Sequence, residues 1–166
     1  AKRKLPELPD TPAAIAPLKD PANQKLFLEY GVLPPAEMNA RMEIALDDYS
    51  RRIGVEGAGA REIAQSMVRP VVAEEFSKLA TAFSLAKKDG FSVGQKGLSA
   101  LSLKLGAGLD DMHHKCDRLN KALAGGNTDA IIVAMRALRK TVDAMENLVA
   151  DDRWPLPKYR EMLFVY

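Results

Sequence analysis

Apolar residues recur along most of this chain at steps of three and four, the period of one face of an α-helix. The clearest stripe is Leu98, Leu101, Leu105, Leu109, Met112, Cys116, Leu119 and Leu123, closed by Gly125-Gly126. A second follows a cap at Asn127 or Thr128 and runs through Ile131, Met135, Leu138, Val142, Met145 and Val149. Earlier, Pro34-Pro35 opens a helix whose face is Met38, Met42, Ala45, Tyr49 and Ile53. After Gly54, Gly57 and Gly59 the pattern resumes at Ile63, Met67, Val71 and Val72, continues through Phe76, Leu79 and Phe83, and stops at Asp89-Gly90. The glycines predict a bend or a close helix crossing, and Pro70 inside the run predicts a kink. A short helix carrying Leu26, Phe27 and Tyr30 precedes these, started by Asp20-Pro21 and stopped by Gly31. No alternating run bounded by hairpin turns suggests a strand.

Stripes this continuous need partner helices. The expectation is therefore an all-α fold, an antiparallel helical bundle of about four main helices. Pro6, Pro9, Pro12 and Pro17 predict an extended linker over residues 1–19. The bundle then fills 20–151, and a Pro/aromatic tail occupies 152–166. The length of 166 residues suits one domain. A chain of this size buries about 70% of its unfolded surface, so it needs neither metal nor disulfide to fold.

Composition narrows the function classes. The chain is 47% hydrophobic and 28% charged, which is ordinary for a globular protein. A net charge of +2, from 24 Lys plus Arg against 22 Asp plus Glu, argues against nucleic acid as a partner, because phosphate binding wants a concentrated basic face. The one local excess, Ala1-Lys2-Arg3-Lys4, reads as a solvated end. The longest clear apolar stretch, Ala130 to Met135, is far short of a membrane span, and no basic-then-apolar leader is seen. A lone cysteine, Cys116, makes no internal disulfide and suggests a reducing, cytoplasmic setting. The first residues read like a linker and there is no initiator Met, so the expectation is a piece of a longer protein.

Candidate chemistry is sparse. His113, His114 and Cys116, with Asp110 and Asp111 nearby, form the sole cluster of metal-type side chains. Successive helix residues diverge by about 100°, so His113 and His114 point apart, whereas Asp110 and His113 share a face. Cys116 falls on the leucine stripe, where a thiol acts as a small hydrophobe. A structural zinc site needs four ligands, and no second cluster supplies the rest. A phosphorelay histidine at His113 or His114 is the sharper alternative, needing one exposed, activated imidazole. Gly90-Phe91-Ser92-Val93-Gly94-Gln95-Lys96-Gly97 is a faint phosphate-loop match with the wrong glycine spacing, no hydroxyl after Lys96 and no leading strand, and reads as a helix-to-helix connection. Gly57-Ala58-Gly59 fails as a dinucleotide fingerprint for similar reasons. The acid pairs Asp47-Asp48, Glu74-Glu75 and Asp151-Asp152 do not face each other on a helix and read as solvated or helix-end charges. No catalytic, cofactor-binding or metal residue is assigned.

The tail is the distinctive segment. Arg153-Trp154-Pro155-Leu156-Pro157-Lys158-Tyr159 must take an extended path through the sole tryptophan, and Arg160 to Tyr166 adds Leu163 and Phe164. Two readings stand equally: a tail folded over its own bundle, or one docked on another domain or subunit. Trp154, Pro155, Pro157, Tyr159, Leu163 and Phe164 are the candidate interaction residues.

This tail resembles the C-terminal region of type III glutamine synthetases, where a helix with an acidic cluster is followed by Trp-Pro-x-Pro-x-Tyr and an apolar end. The matching residues are Val142 through Asp152, Trp154-Pro155-Leu156-Pro157, Tyr159 and Leu163-Phe164. Leu8-Pro9-Asp10-Thr11, Leu26-Phe27, Tyr30-Gly31-Val32 and Pro35-Ala36-Glu37 are similar to that family's post-catalytic linker. Arg41-Met42-Glu43-Ile44 through Tyr49, Ile53-Gly54-Val55-Glu56 and Arg69-Pro70-Val71 make a third match, while residues 85–125 have only generic helical character. The resemblance implies a parent that ligates ammonia to glutamate with ATP and magnesium through γ-glutamyl phosphate. No catalytic motif of that family falls on any position here. It also implies large ring assemblies, so the partners expected are the catalytic domain of the same chain and neighbouring subunits of a homo-oligomer. The alternative is a free-standing helical interaction or phosphotransfer adaptor using His113 or His114, and a third reading is an acid-metal bundle protein.

Overall fold

The computed structural model describes residues 6–163. They are helical almost throughout, with no β-strand among the described residues, as the periodicity predicts. Two compact units divide the chain, residues 1–53 and 54–166.

The first unit departs from the extended linker expected over residues 1–19. From Thr11 on the backbone is helical: α1 is Thr11–Ile15, followed by a 3-10 turn at Ala16–Lys19. The reason is capping. The Asp10 carboxylate accepts from the Ala13 amide at 2.9 Å, and Pro12 and Pro17 each fall in a first helical turn, where no amide donor is required. α2, Pro21–Glu29, starts as predicted on Asp20, whose carboxylate accepts from the Ala22 amide at 2.9 Å. It stops as predicted at Gly31: the Gly31 and Val32 amides donate back to Leu28 and Phe27 carbonyls, a Schellman closure. α3, Pro35–Glu62, begins in this unit with Met38 and Met42 buried on its apolar face. Its outer face pairs Glu37 with Arg41, Asp47 with Arg51 and Asp48 with Arg52, acid before base at four-residue spacing, so Asp47-Asp48 is the solvated pair expected.

In the second unit α3 runs unbroken through Gly54, Gly57 and Gly59, so the glycines mark a crossing and not a bend. A Cβ on Gly57 would lie 2.8 Å from Ile131 Cγ2 and 3.1 Å from Leu123 Cδ2. Pro70 is absorbed by a π-helical turn at Ile63–Val68, in which the Arg69 amide donates to the Ala64 carbonyl, five residues back. Proline has no amide to give Ser66, and the wider turn just upstream accommodates that loss. α4, Arg69–Lys88, ends on a second Schellman closure at Gly90, and α5, Gln95–Gly125, starts after Gly94. The Gly90–Gly97 segment is thus the helix-to-helix connection expected. Asn127 caps α6, Thr128–Glu146, accepting from the Ala130 amide at 2.9 Å.

α5 is the central helix, packed antiparallel against α4 on one side and α6 on the other. The core holds Val68, Val72, Leu105, Met112, Cys116, Leu119, Ile131, Leu138 and Met145. Gly108 brings α5 close to α6: a Cβ there would run into the Met145 side chain.

Candidate functional site

The tail begins with a 3-10 turn at Asp151–Arg153 and then extends, with Trp154 at φ −68° and ψ 124°. Arg153 reaches back to α4 and forks. One guanidinium nitrogen donates to Glu75 Oε2 at 2.9 Å and another to Glu74 Oε2. Glu74-Glu75, read as solvated charge in the sequence, is therefore a clamp for the tail. The residues lie 78 and 79 positions from Arg153, beyond any local pattern. The next residue, Trp154, is 8% exposed, so its own chain covers it. Of the two readings of the tail, the structure gives this anchor to the bundle.

Beyond the anchor the tail becomes a surface. Pro155 is half-buried and Pro157 exposed. Lys158 ties back to Asp151 through its ammonium, and its amide donates to Glu161 Oε2 at 3.0 Å, starting α7, Tyr159–Leu163. Met162 and Leu163 are 51% and 74% exposed. Tyr159 opens α7; Phe164 lies outside the described residues. Of the candidate set, Trp154 is a buried anchor, Pro155 is half-buried, and Pro157 and Leu163 are exposed.

The histidine cluster of α5 does not converge. His113 Nε2 lies 3.6 Å from Asp117 Oδ2 on an exposed face, and the His113 and His114 rings are 5.7 Å apart, tilted by 46°. Asp110, one turn before His113, lines a groove between α4 and α5. Cys116 points into the core, and burial pushes its thiol pKa up. Among the described residues no three His, Cys, Asp or Glu side chains come together to hold a metal ion.

Sequence reading missed a polar tie between α5 and α6. Lys115 Nζ donates to Asp111 Oδ2 and to Thr141 Oγ1, both at 2.7 Å, and the Thr141 hydroxyl donates to Asp111 Oδ2 at 2.6 Å. Thr141 is buried. The hydrogen bond from Lys115, then that from Thr141, holds the Asp111 carboxyl below its ordinary pKa. The three groups use one another's polar atoms, which makes a cross-brace and no activated nucleophile. The four-residue step from Asp111 to Lys115 was visible in the sequence, but Thr141 sits inside an apolar stripe and gave no signal.

A groove also opens between α4 and α5. It measures about 500 Å³ and is lined by Phe76, Phe83, Ser102, Leu103, Gly106 and Asp110, among others. The Ser102 hydroxyl at this level is buried and has no hydrogen-bond partner among the described residues. No helix of the described residues is long and apolar enough to cross a membrane.

Comparison with known proteins gives one family and several relatives. The sequence model of the family described as Glutamine synthetase C-terminal domain matches residues 1–87. A type-3 glutamine synthetase of Dictyostelium discoideum is 28% identical over 179 residues, covering 98% of this chain and 24% of that protein. A glutamine synthetase of Bacteroides fragilis (strain YCH46) is 24% identical, covering 99% of this chain and 25% of its own length. One of Butyrivibrio fibrisolvens is 28% identical with the same coverage. The chain thus spans about a quarter of the length of the relatives it matches.

Proposed function

Because the chain belongs to the glutamine synthetase C-terminal domain family, we propose that it is the accessory helical domain of a glutamate–ammonia ligase, packing and assembling the parent without catalysing the reaction itself. The observation that carries this is the coverage: nearly all of this chain aligns to relatives named glutamine synthetases, yet about three quarters of each relative falls outside the alignment. The parent reaction would be ATP-dependent ligation of ammonia to glutamate through γ-glutamyl phosphate, in the cytoplasm. Magnesium and ATP would bind elsewhere in that parent. Supporting this reading, no three carboxylate, histidine or cysteine side chains converge among the described residues, and Gly90–Gly97 links two helices with no strand leading in. The partners are the catalytic body of the same polypeptide and neighbouring subunits. Exposed Leu163 and Met162, presented beyond the Trp154 anchor, suit such contacts.

The test is direct. The purified 166-residue chain, given glutamate, ammonia, ATP and magnesium, should make no glutamine; measurable product would overturn the non-catalytic role. Transfer of phosphoryl onto His113 or His114 from a donor kinase would instead favour a phosphotransfer adaptor.

A further inference from the structure

The bundle of the second unit is unequal in length. α5 has 31 residues and α6 has 19. Met145 against Gly108 and Arg153 on Glu74 and Glu75 brace the α4–α5 hairpin part-way along its length. Beyond Glu75, α4 runs roughly 20 Å further to Lys88. Over that stretch no residue of α4 is fully buried, and α5 has none before Ser102. The hairpin tip is two helices wide with its apolar seam open. Leu85, Phe91, Val93 and Leu103 are 53%, 63%, 89% and 71% exposed.

The open seam is a trench. The groove that holds Asp110 at one end shares Phe83, Ser99 and Leu103 with a second depression that holds Lys96 at the other. Lys96, Ser99, Leu103, Gly106 and Asp110 follow one face of α5 at steps of three and four. From Lys96 to Asp110 the helix rises roughly 21 Å, with Leu103 at the midpoint.

We infer that this face binds a second copy of the same hairpin, laid antiparallel about a two-fold axis at Leu103. The two charged residues that line the trench, Lys96 and Asp110, are self-complementary only in that direction. Lys96 of each copy meets Asp110 of the other, and Leu103 meets its own equivalent, as an isologous contact requires. A parallel arrangement would set lysine on lysine. Ser99, Gly106 and Ala107 are small enough to let two helices approach to about 8–10 Å. Together the two hairpins complete a four-helix bundle. A patch about 20 Å long and two helices wide is smaller than the faces of standard interfaces, so the pair is weak and concentration-dependent. The inference deepens the assembly role proposed above and rests on it. Self-association tests this surface alone, whereas the ligase assay tests the non-catalytic reading alone.

Sedimentation of the 166-residue chain over a rising concentration series should show a reversible monomer–dimer equilibrium. Leu103→Glu should abolish the dimer. Lys96→Glu and Asp110→Lys should each raise its dissociation constant about tenfold, since each reverses charge at two symmetric contacts. The double variant Lys96→Glu/Asp110→Lys should recover the original value. All three positions are exposed, and circular dichroism checks that each variant remains helical. A chain monomeric throughout, a dimer indifferent to these changes, or a double variant no tighter than the single ones would overturn the proposal.

Discussion

Gly54, Gly57 and Gly59 share one helix, yet only Gly57 is constrained by its neighbours. Nothing lies within 4 Å of a Cβ added at Gly54 or Gly59, whereas at Gly57 it meets the branched, buried Ile131. Gly54→Ala and Gly59→Ala should each stabilise the chain by about 0.5–1 kcal/mol, the helix propensity gain. Gly57→Ala should destabilise it by about 1 kcal/mol net, because overpacking outweighs that gain. Urea unfolding of the three variants separates the cases. Asp111 gives a pH-dependent counterpart. Its pKa is depressed in the folded state by Lys115 and Thr141, so the stability it contributes is present above the unfolded carboxylate pKa. That contribution is lost as pH falls through the lower, folded value. Thr141→Val should raise the Asp111 pKa and cost about 1 kcal/mol, read by NMR titration and by unfolding at neutral pH.

At the scale of elements, helix starts and stops were written in local chemistry: Asp20, Asn127, Gly31 and Gly90 act where the sequence places them. The expected linker turns helical from Thr11 on because Pro12 and Pro17 each sit in a first turn, where proline is at home, with Asp10 capping ahead of Pro12. Pro70 was legible as a disturbance, but periodicity does not encode its resolution into a π turn, in which the Arg69 amide donates to the Ala64 carbonyl. The tail shows the same limit. Trp154 and the prolines announced themselves, but the Glu74–Arg153–Glu75 clamp joins segments that only the fold brings together. Arg153→Met should free the tail, costing about 1–2 kcal/mol, since its charge-assisted bonds are partly shielded from solvent. Hydrogen exchange at residues 154–158 should accelerate in that variant while α5 stays protected.

For the whole molecule, the sequence conveyed an all-helical class and the identity of the central stripe, yet not which part of the stripe is covered. Leu105, Met112, Cys116 and Leu119 are buried, while Leu98, Leu101, Leu109 and Leu123 of the same stripe are only half-buried. Coverage is a tertiary property: Leu98 and Leu101 lie beyond the contact of Met145, near the end of α6, with Gly108. Methionines record it. Met38, Met112 and Met145 lie in the core, whereas Met67 and Met162 are 39% and 51% exposed. Dilute peroxide should therefore oxidise Met162 and Met67 first and Met38 and Met112 last, as followed by peptide mass mapping.

The clamp at Arg153 also turns the one tryptophan into an optical gauge. Trp154 is the only indole in the chain, is shielded from water, and directly follows the clamp residue Arg153. Its emission should shift to the red when the tail lifts from the bundle. A single fluorescence spectrum thereby reports any partner that peels the tail away.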